Sequence, residues 1–270
     1  MTTVQTAAEH LLRQERLIII AGLVLICLLS WCFLIAGAGT GMSTLAMTTW
    51  ELPPPALHTV GTPWPASWWL IMILMWWVMM IAMMVPSATP MILLYARVYR
   101  HSQKNGQLAQ GVVPTATFLS GYLVSWLLFS LAATGLHWGL EQLGLVHGMM
   151  MWSTSPILSG VFLLAAGVYQ TSPLKRVCLS HCRSPASYLS AHWRTGAWGT
   201  FRFGFDHGLY CVGCCWFLML LLFVGGVMNL VWIVGLAIFV LVEKVAPRGD
   251  WVAKVSGVAM MGAGAWLLLG

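Results

Sequence analysis

The sequence predicts an all-α fold, a polytopic bundle of transmembrane helices. Of its 270 residues, 59% are hydrophobic and only 7% are charged, whereas a soluble domain carries about 25% charged residues. The mean hydropathy is +0.83, and the apolar runs lack the alternation typical of the strands of a membrane barrel. This composition excludes a water-soluble enzyme and a disordered chain. A nucleic-acid-binding domain is excluded as well, because the 13 basic residues are scattered along the chain.

Seven apolar runs are long enough to cross about 30 Å of hydrocarbon. They are 17–38, 68–95, 114–137, 155–169, 203–224, 226–242 and 252–270. The second run contains Pro86 and Pro90, so we expect a kink near its end. The first run has a rival interpretation, because Ala36-Gly37-Ala38 resembles a signal-peptidase site. Its apolar stretch of about 20 residues exceeds the 7–15 of a signal peptide, which favours a retained helix.

The basic residues predict the orientation of the bundle. All 13 Lys and Arg residues precede span one or lie between spans two and three, four and five, or six and seven. The positive-inside rule then predicts a cytoplasmic N-terminus and an outer C-terminus. We expect the protein in a bacterial inner membrane, with the lipid bilayer as one of its partners. Residues 1–66 form an N-terminal membrane helix and an outer loop, and residues 67–270 form a six-helix core bundle.

The fifth span carries a cysteine motif, His207-Gly-Leu-Tyr-Cys211-Val-Gly-Cys214-Cys215. At about 100° per residue, His207, Cys211 and Cys214 share an arc of about 60°, with Cys215 at its edge. A lone cysteine is usually a small packing residue, but three thiols and an imidazole on one face favour metal or thiol chemistry. Such ligands suit Cu(I), and zinc fits them as well.

Two further groups of soft ligands accompany this motif. Cys178-Leu-Ser-His181-Cys182 lies in the most basic loop, where a reducing cytoplasm argues against a disulfide, and we interpret it as a capture or exit point for metal. Met79 and Met83 belong to a methionine stripe on span two. Such a stripe is more often core packing, but its thioethers could complete a Cu(I) site.

Asp206 is a carboxylate inside a span, where charged groups are costly and often functional. It could pair with Arg202, four residues earlier on the same helical face, or orient the imidazole of His207. The sequence leaves both roles open. Glu243 beside Lys244 ends span six, and we expect that carboxylate at the membrane interface.

These motifs together resemble one prokaryotic family. The resemblance covers roughly residues 67 to 269 and is carried by 77–90, 169–175, 178–185, 207–216 and 226–230 with Glu243-Lys244. The family is domain of unknown function 2182, which is catalogued as predicted metal-binding integral membrane proteins. The resemblance implies metal binding in a membrane and no established activity.

The leading hypothesis is a membrane protein that binds Cu(I) for transport, handling or delivery, with a metallochaperone or metalloprotein as partner. Familiar enzyme motifs such as a P-loop or HExxH are missing, which disfavours an enzyme. An alternative is a quinone-linked thiol oxidoreductase, since Cys211 and Cys214 have redox spacing, although an exchanging disulfide must be accessible. A third is a structural subunit of a larger complex, with Ala259 and Ala263 at a helix contact.

Overall fold

The computed structural model describes residues 2–49, 63–109, 111–247 and 249–269, and it is all-α. The helices in these ranges are α1 Thr2–Ile35, α2 Ala66–Lys104, α3 Thr115–Gln142, α4 Pro156–Thr171, α5 Pro173–Arg183, α6 Pro185–His192, α7 Gly196–Leu220, α8 Leu222–Gly225, α9 Leu230–Val245 and α10 Gly249–Leu269. Part of the predicted outer loop, residues 50–62 with His58, lies outside the described residues, as does Arg248.

Five helical segments are long and apolar enough to cross a membrane. They belong to α1, α2, α3, α7 with α8, and α10. A sixth candidate consists of α4 and α5, two helices joined by a bend of 65°. The described part of the chain therefore contains five or six candidate spans, compared with the seven that the sequence predicts. The remaining predicted span corresponds to α9, which has only 16 residues.

The second predicted span is longer than expected. Pro86 and Pro90 both lie inside α2, which continues to Lys104 instead of ending near residue 95. The side-chain hydroxyls of Ser87 and Thr89 donate hydrogen bonds to the carbonyls of Met84 and Val85 at 2.8 and 3.0 Å. Each hydroxyl is thereby satisfied within the helix, whereas the carbonyls that lose a backbone donor to proline are those of Ala82 and Pro86.

One end of the bundle brings together segments rich in basic residues. Arg100 near the end of α2 forms an ion pair with Glu15 of α1 and donates to the carbonyl of Gly111 before α3 at 3.1 Å. Arg183 at the end of α5 pairs with Asp250 at the start of α10 at 3.0 Å. We refer to this end as the basic end.

The opposite end joins the loops that carry no basic residue. The side-chain amide of Asn229, which precedes α9, donates to the carbonyl of Thr49 at 2.9 Å. The backbone amide of Ser153, between α3 and α4, donates to the carbonyl of Phe223 in α8 at 2.7 Å. Successive connections along the chain thus meet at alternate ends, which positions the middle of α7 inside the bundle.

Helix α10 packs tightly against α4 through glycine. A Cβ atom on Gly167 would lie 2.6 Å from the carbonyl oxygen of Gly257, and one on Gly264 would lie 2.8 Å from that of Gly160. Small residues allow such close backbone approach in membrane bundles. The close contact inside the chain therefore uses these glycines, while Ala259 and Ala263 are exposed.

Candidate metal centre

The three cysteines of α7 point into the bundle. Cys211, Cys214 and Cys215 are each only 1% exposed. The thiols of Cys214 and Cys215 donate to the backbone carbonyl of Cys211, at 3.1 and 2.9 Å. These contacts along one helical turn keep the three side chains together on the inner side of α7.

A bend in the chain brings a fourth thiol to the same place. Ser172 caps α5 by accepting a hydrogen bond from the backbone N–H of Lys175, and Pro173 occupies the first helical position, as is common in helix starts. Helix α5 therefore leaves α4 at 65° and lies against α7. The Sγ atom of Cys182 lies 4.0 Å from that of Cys214.

Cys182, Cys211, Cys214 and Cys215 thus form one group, which we call the thiol cluster. The contact between Cys182 and Cys214 joins the α5 thiol to the three thiols of α7. Cys178 lies beside the cluster, since a Cβ atom on Gly213 would lie 2.9 Å from its Sγ atom. The sequence predicts the α5 and α7 cysteines as two separate groups, and the structure brings them together.

Lys244 also reaches the thiol cluster. Its Nζ atom lies 2.9 Å from the Sγ atom of Cys211 and 3.1 Å from the hydroxyl oxygen of Ser87. The hydroxyl of Tyr122 lies 3.1 Å from the same sulfur. Lys244 is 7% exposed, and a buried ammonium group requires a compensating partner. The sulfur of Cys211 is the closest such partner in the described structure.

The neighbouring carboxylate of Glu243 is buried inside the bundle, where it is paired with a charge from another helix. It accepts a hydrogen bond from Nζ of Lys175 at 2.8 Å, and both side chains are 1% exposed. Gln170 donates to Glu243 at 3.1 Å, and Lys175 also donates to Gln170. This network binds the start of α5 to α9, while Arg183 binds its end to the α9–α10 connection.

The two predicted histidine ligands lie at the edge of the cluster. His207 is buried, and its ring packs against those of Tyr122 and Tyr188, with centroids 6.0 and 5.7 Å away. Its Nδ1 atom has no hydrogen-bond partner within the described residues. His181 stacks on Tyr210 with centroids 4.2 Å apart. Tyr188 lies outside the candidate spans, and burial raises the pKa of its phenol.

A methionine that the stripe argument did not select contacts the cluster. The sulfur of Met84 lies 4.0 Å from the Sγ atom of Cys215. Met79 and Met83 are buried in the same helix, but the contact from α2 to a cysteine sulfur comes from Met84. Its position about 100° around the helix from Met83 placed it outside the stripe.

Asp206 is paired with a residue other than the expected one. Its carboxylate lies 3.9 Å from a guanidinium nitrogen of Arg194, in the connection before α7. The two side chains are 31% and 36% exposed, so the pair contributes little stability. Arg202 was the partner expected from helical spacing, and the structure shows Arg194 instead.

The donor set of the thiol cluster suits a soft metal ion. Thiolates and thioethers select Cu(I) among the common metals. Two sulfur atoms 4.0 Å apart can share an ion through bonds of about 2.3 Å each. No group of three or more His, Cys, Asp or Glu side chains in the described ranges has the geometry of a complete site. The described residues therefore place one pair of sulfur atoms in contact, with further sulfur atoms close by.

The fold and the centre together define an all-α protein with candidate membrane helices and a buried thiol cluster. Comparison with known families matches residues 73–267 to the copper chaperone family PpoB2. Because the match covers most of the chain, this protein belongs to that family. The matched region includes the whole thiol cluster, and the expected assignment to domain 2182 is not confirmed by it. Searches of curated proteins and of solved structures give no match.

Proposed function

We propose that this protein binds Cu(I) in the thiol cluster, inside the membrane, and delivers it to a partner metalloprotein. The observation that carries the proposal is the 4.0 Å approach of the thiols of Cys182 and Cys214. These residues come from two different helices, and packing alone does not require two polarizable sulfur atoms to meet there. Membership in a copper chaperone family supports copper as the metal.

In this proposal Cys182 and Cys214 provide the first pair of ligands. Cys211 and Cys215, with the thioether of Met84, are further donors that let the ion move by exchanging one sulfur at a time. Cys178 and His181 on α5 form the capture point at the entrance. His207 is an additional ligand at the edge of the thiol cluster, while Met79 and Met83 extend the row of thioethers along α2. Asp206, which precedes His207 on α7 and lies near Arg194, is not a ligand in this proposal.

Lys244 has an electrostatic role in this proposal. A Cu(I) ion bound by two thiolates leaves a net charge of −1, since two negative charges meet one positive charge. An isolated charge inside a membrane protein is costly unless it is paired. The buried ammonium of Lys244, 2.9 Å from the Cys211 sulfur, supplies the opposite charge. It also favours the thiolate form of Cys211, which is the form that binds metal.

The proposed orientation places the basic end of the bundle in the cytoplasm of a bacterium. The contacts between basic segments at one end and uncharged loops at the other support this orientation. In it, α9 is a short seventh crossing, from Asn229 at the outer end to Lys244 beside the thiol cluster. Metal would then enter from the reducing side, where thiols stay competent as ligands.

A Cu(I) competition titration tests the proposed site. Protein purified in detergent under reducing conditions should withdraw Cu(I) from a chromophoric chelator such as bathocuproine disulfonate. Cys182→Ser and Cys214→Ser should each abolish this tight binding. Cys32→Ser is the matched control, because Cys32 lies exposed on α1 outside the region matched to the family. Unchanged binding in both cluster variants, or equal loss in the control, would show that the site is elsewhere. A parallel titration with Zn(II) identifies the preferred metal.

The same thiol pair also favours one alternative, a membrane thiol oxidoreductase. Cys182 and Cys214 could form a disulfide, with two electrons and two protons passing to a quinone. The structure makes this pair a better candidate than Cys211 and Cys214, which share one helix. Mass-spectrometric mapping of metal-free protein discriminates the two functions. A Cys182–Cys214 disulfide that forms with added quinone and reverses with thiol would favour redox exchange over copper delivery.

One observation supports the third hypothesis, in which the protein is a subunit of a larger complex. Ala259 and Ala263 are exposed, so this face of α10 is free to contact another membrane helix. A stable partner that co-purifies in mild detergent, and is lost when Ala259 is replaced by Leu, would support this hypothesis. Such a partner could also be the recipient of copper.

A further inference from the structure

A large cavity lies away from the thiol cluster, at the basic end of the described structure. It has a volume of about 840 Å³ and lies between α1, the end of α2 and the segment that leads into α3. Its size falls in the range of about 300–1,000 Å³ that ligand sites occupy. The proposed copper chemistry does not use this cavity.

The cavity has a charged mouth and an apolar interior. Arg16 on α1 and Arg97 on α2 both line the cavity, and each lies within three residues of the Glu15–Arg100 ion pair that joins the two helices. Ile19 and Leu93 also line the cavity, and each lies about one helical turn further toward the middle of its helix. The order from the mouth inward is therefore guanidinium groups and then branched aliphatic side chains.

The two arginines at the mouth, Arg16 and Arg97, form no ion pair with another described side chain. Arg100, which also lines the cavity, is neutralised by its ion pair with Glu15. Arg16 and Arg97 are exposed, and neither forms an ion pair with a side chain in the part of the chain that the structure describes. The mouth therefore carries two positive charges that no described carboxylate balances.

We propose that this cavity binds an anionic phospholipid. Its phosphate would lie between Arg16 and Arg97, where guanidinium groups match phosphate geometry, and one acyl chain would enter the space beside Ile19 and Leu93. The vertical order of charge and apolar surface in the cavity is that of a phospholipid in the bilayer. Basic pockets between membrane helices bind anionic headgroups in this way.

This occupant follows from the position of the cavity as well as from its charge. α1 and α2 are candidate spans, so the cavity opens where the headgroups of a surrounding bilayer would lie. A soluble anion would leave the aliphatic side chains of the cavity in contact with water. A neutral lipid would leave the two guanidinium charges without a partner. An anionic phospholipid satisfies both surfaces. The lipid would join α1, which lies outside the matched family region, to α2 of the core.

Native mass spectrometry of the detergent-purified protein tests this proposal. With equal amounts of phosphatidylglycerol and phosphatidylethanolamine added, the wild type should retain one phosphatidylglycerol molecule in preference. Arg16→Gln and Arg97→Gln should each lower that affinity about fivefold. Arg176→Gln is the matched control, because Arg176 is exposed on α5 and does not line the cavity. Leu93→Trp should also expel the lipid, because it fills the apolar part without a change of charge.

Several results would overturn the proposal. Equal retention of the two lipids by the wild type would show ordinary annular binding, and this measurement needs no variant. Equal affinity in Arg16→Gln, Arg97→Gln and Arg176→Gln would show that the mouth does not select the headgroup. If glycerol phosphate raises the unfolding temperature as much as phosphatidylglycerol does, a soluble phosphate is the ligand and the lipid assignment is wrong.

Discussion

Lys244 and Cys211 form the pair of residues that most directly links the structure to copper chemistry. Replacing the lysine by Met removes the buried positive charge beside the sulfur. We expect Lys244→Met to weaken Cu(I) binding by about 30-fold, or about 2 kcal/mol, as when one partner of a buried charged contact is lost. Lys244→Arg keeps the charge and should retain more of the affinity. The Cu(I) competition titration measures both variants.

The reactivity of the thiols separates this electrostatic role from general damage to the fold. Alkylation requires the thiolate, so Cys211 should react more slowly with iodoacetamide in Lys244→Met than in the wild type. Lys254→Met, on an exposed position of α10, should change neither measurement. An alkylation rate at Cys211 that is the same in all three proteins would contradict the proposed role of Lys244.

The burial of His147 predicts how acid changes stability at the end of the bundle opposite the basic end. Its Nδ1 atom accepts hydrogen bonds from the backbone N–H groups of Met149 and Met150, at 3.2 and 3.0 Å, and burial lowers the pKa of its imidazole. A lowered pKa means that the folded state resists protonation. The contribution of His147 is therefore complete above the unfolded pKa of about 6.5 and is lost as the pH falls below it.

Thermal unfolding between pH 7.5 and pH 5 tests this residue. His147→Asn keeps an acceptor for the turn but cannot be protonated, so its unfolding temperature should fall less with acid than that of the wild type. His101→Asn is the control, because His101 is exposed at the end of α2. An identical pH dependence in all three proteins would contradict the prediction.

At the scale of elements, α5 is the helix that completes the metal centre. Lys175 near its start pairs with Glu243 of α9 in a fully buried contact. Lys175→Met leaves the carboxylate unpaired, which costs about 3–5 kcal/mol at such sites, and α5 should loosen from α7. Cross-linking of Cys182 to Cys214 by diamide should then slow markedly. Arg176→Met, on the exposed side of α5, should cross-link at the wild-type rate, and equal rates in both variants would contradict this role for the ion pair.

The contact between α3 and α7 depends on two glycines. A Cβ atom on Gly121 would overlap the carbonyl of Phe201, and one on Gly204 would overlap that of Phe118. Gly121→Ala and Gly204→Ala should each lower stability by about 1–3 kcal/mol, because overpacking forces the backbones apart. Gly135→Ala has open space around its new methyl group and should be nearly neutral. Denaturant unfolding in detergent compares the three, and similar stabilities would show that the helices adjust without cost.

Local periodicity predicted the part of the centre that lies on one helix. The angles between His207, Cys211 and Cys214 follow from helical geometry, and all three side chains are buried in the structure. The approach of Cys182 to Cys214 could not be predicted in this way, because it depends on the 65° bend between α4 and α5. Ser172 and Pro173 gave the local signal for a new helix start, but not the direction of the chain after it.

The partners of the buried charged residues could not be predicted from the sequence pattern either. Glu243 and Lys244 are adjacent in the chain, and the sequence predicts the carboxylate of Glu243 at the membrane interface. In the structure they point to different partners, Lys175 and Cys211, on two other helices. Such partners depend on tertiary packing and leave no periodic signal within α9. Tertiary packing also accounts for the contact of Met84, which lies outside the methionine stripe, with Cys215.

At the scale of the whole molecule, the alternation of basic and uncharged connections predicts which end faces the cytoplasm. Contacts such as Arg100 with Glu15 bring the basic segments to one end, and the anionic inner leaflet together with the insertion bias should hold that end inside. Single cysteines introduced into a chain with its own cysteines replaced can test this. Lys104→Cys marks the basic end and Leu143→Cys the opposite end, and both positions are exposed.

A membrane-impermeant maleimide added to intact spheroplasts should label the Leu143→Cys protein at once. The Lys104→Cys protein should react only after the membrane is permeabilised, because its new thiol faces the cytoplasm. Labelling of both proteins in detergent confirms that each thiol is reactive. The reverse pattern in spheroplasts would invert the orientation and place the Cys178 and Cys182 helix on the oxidising side. Reduced thiols would not persist there, so copper could not be captured by α5 in the proposed way.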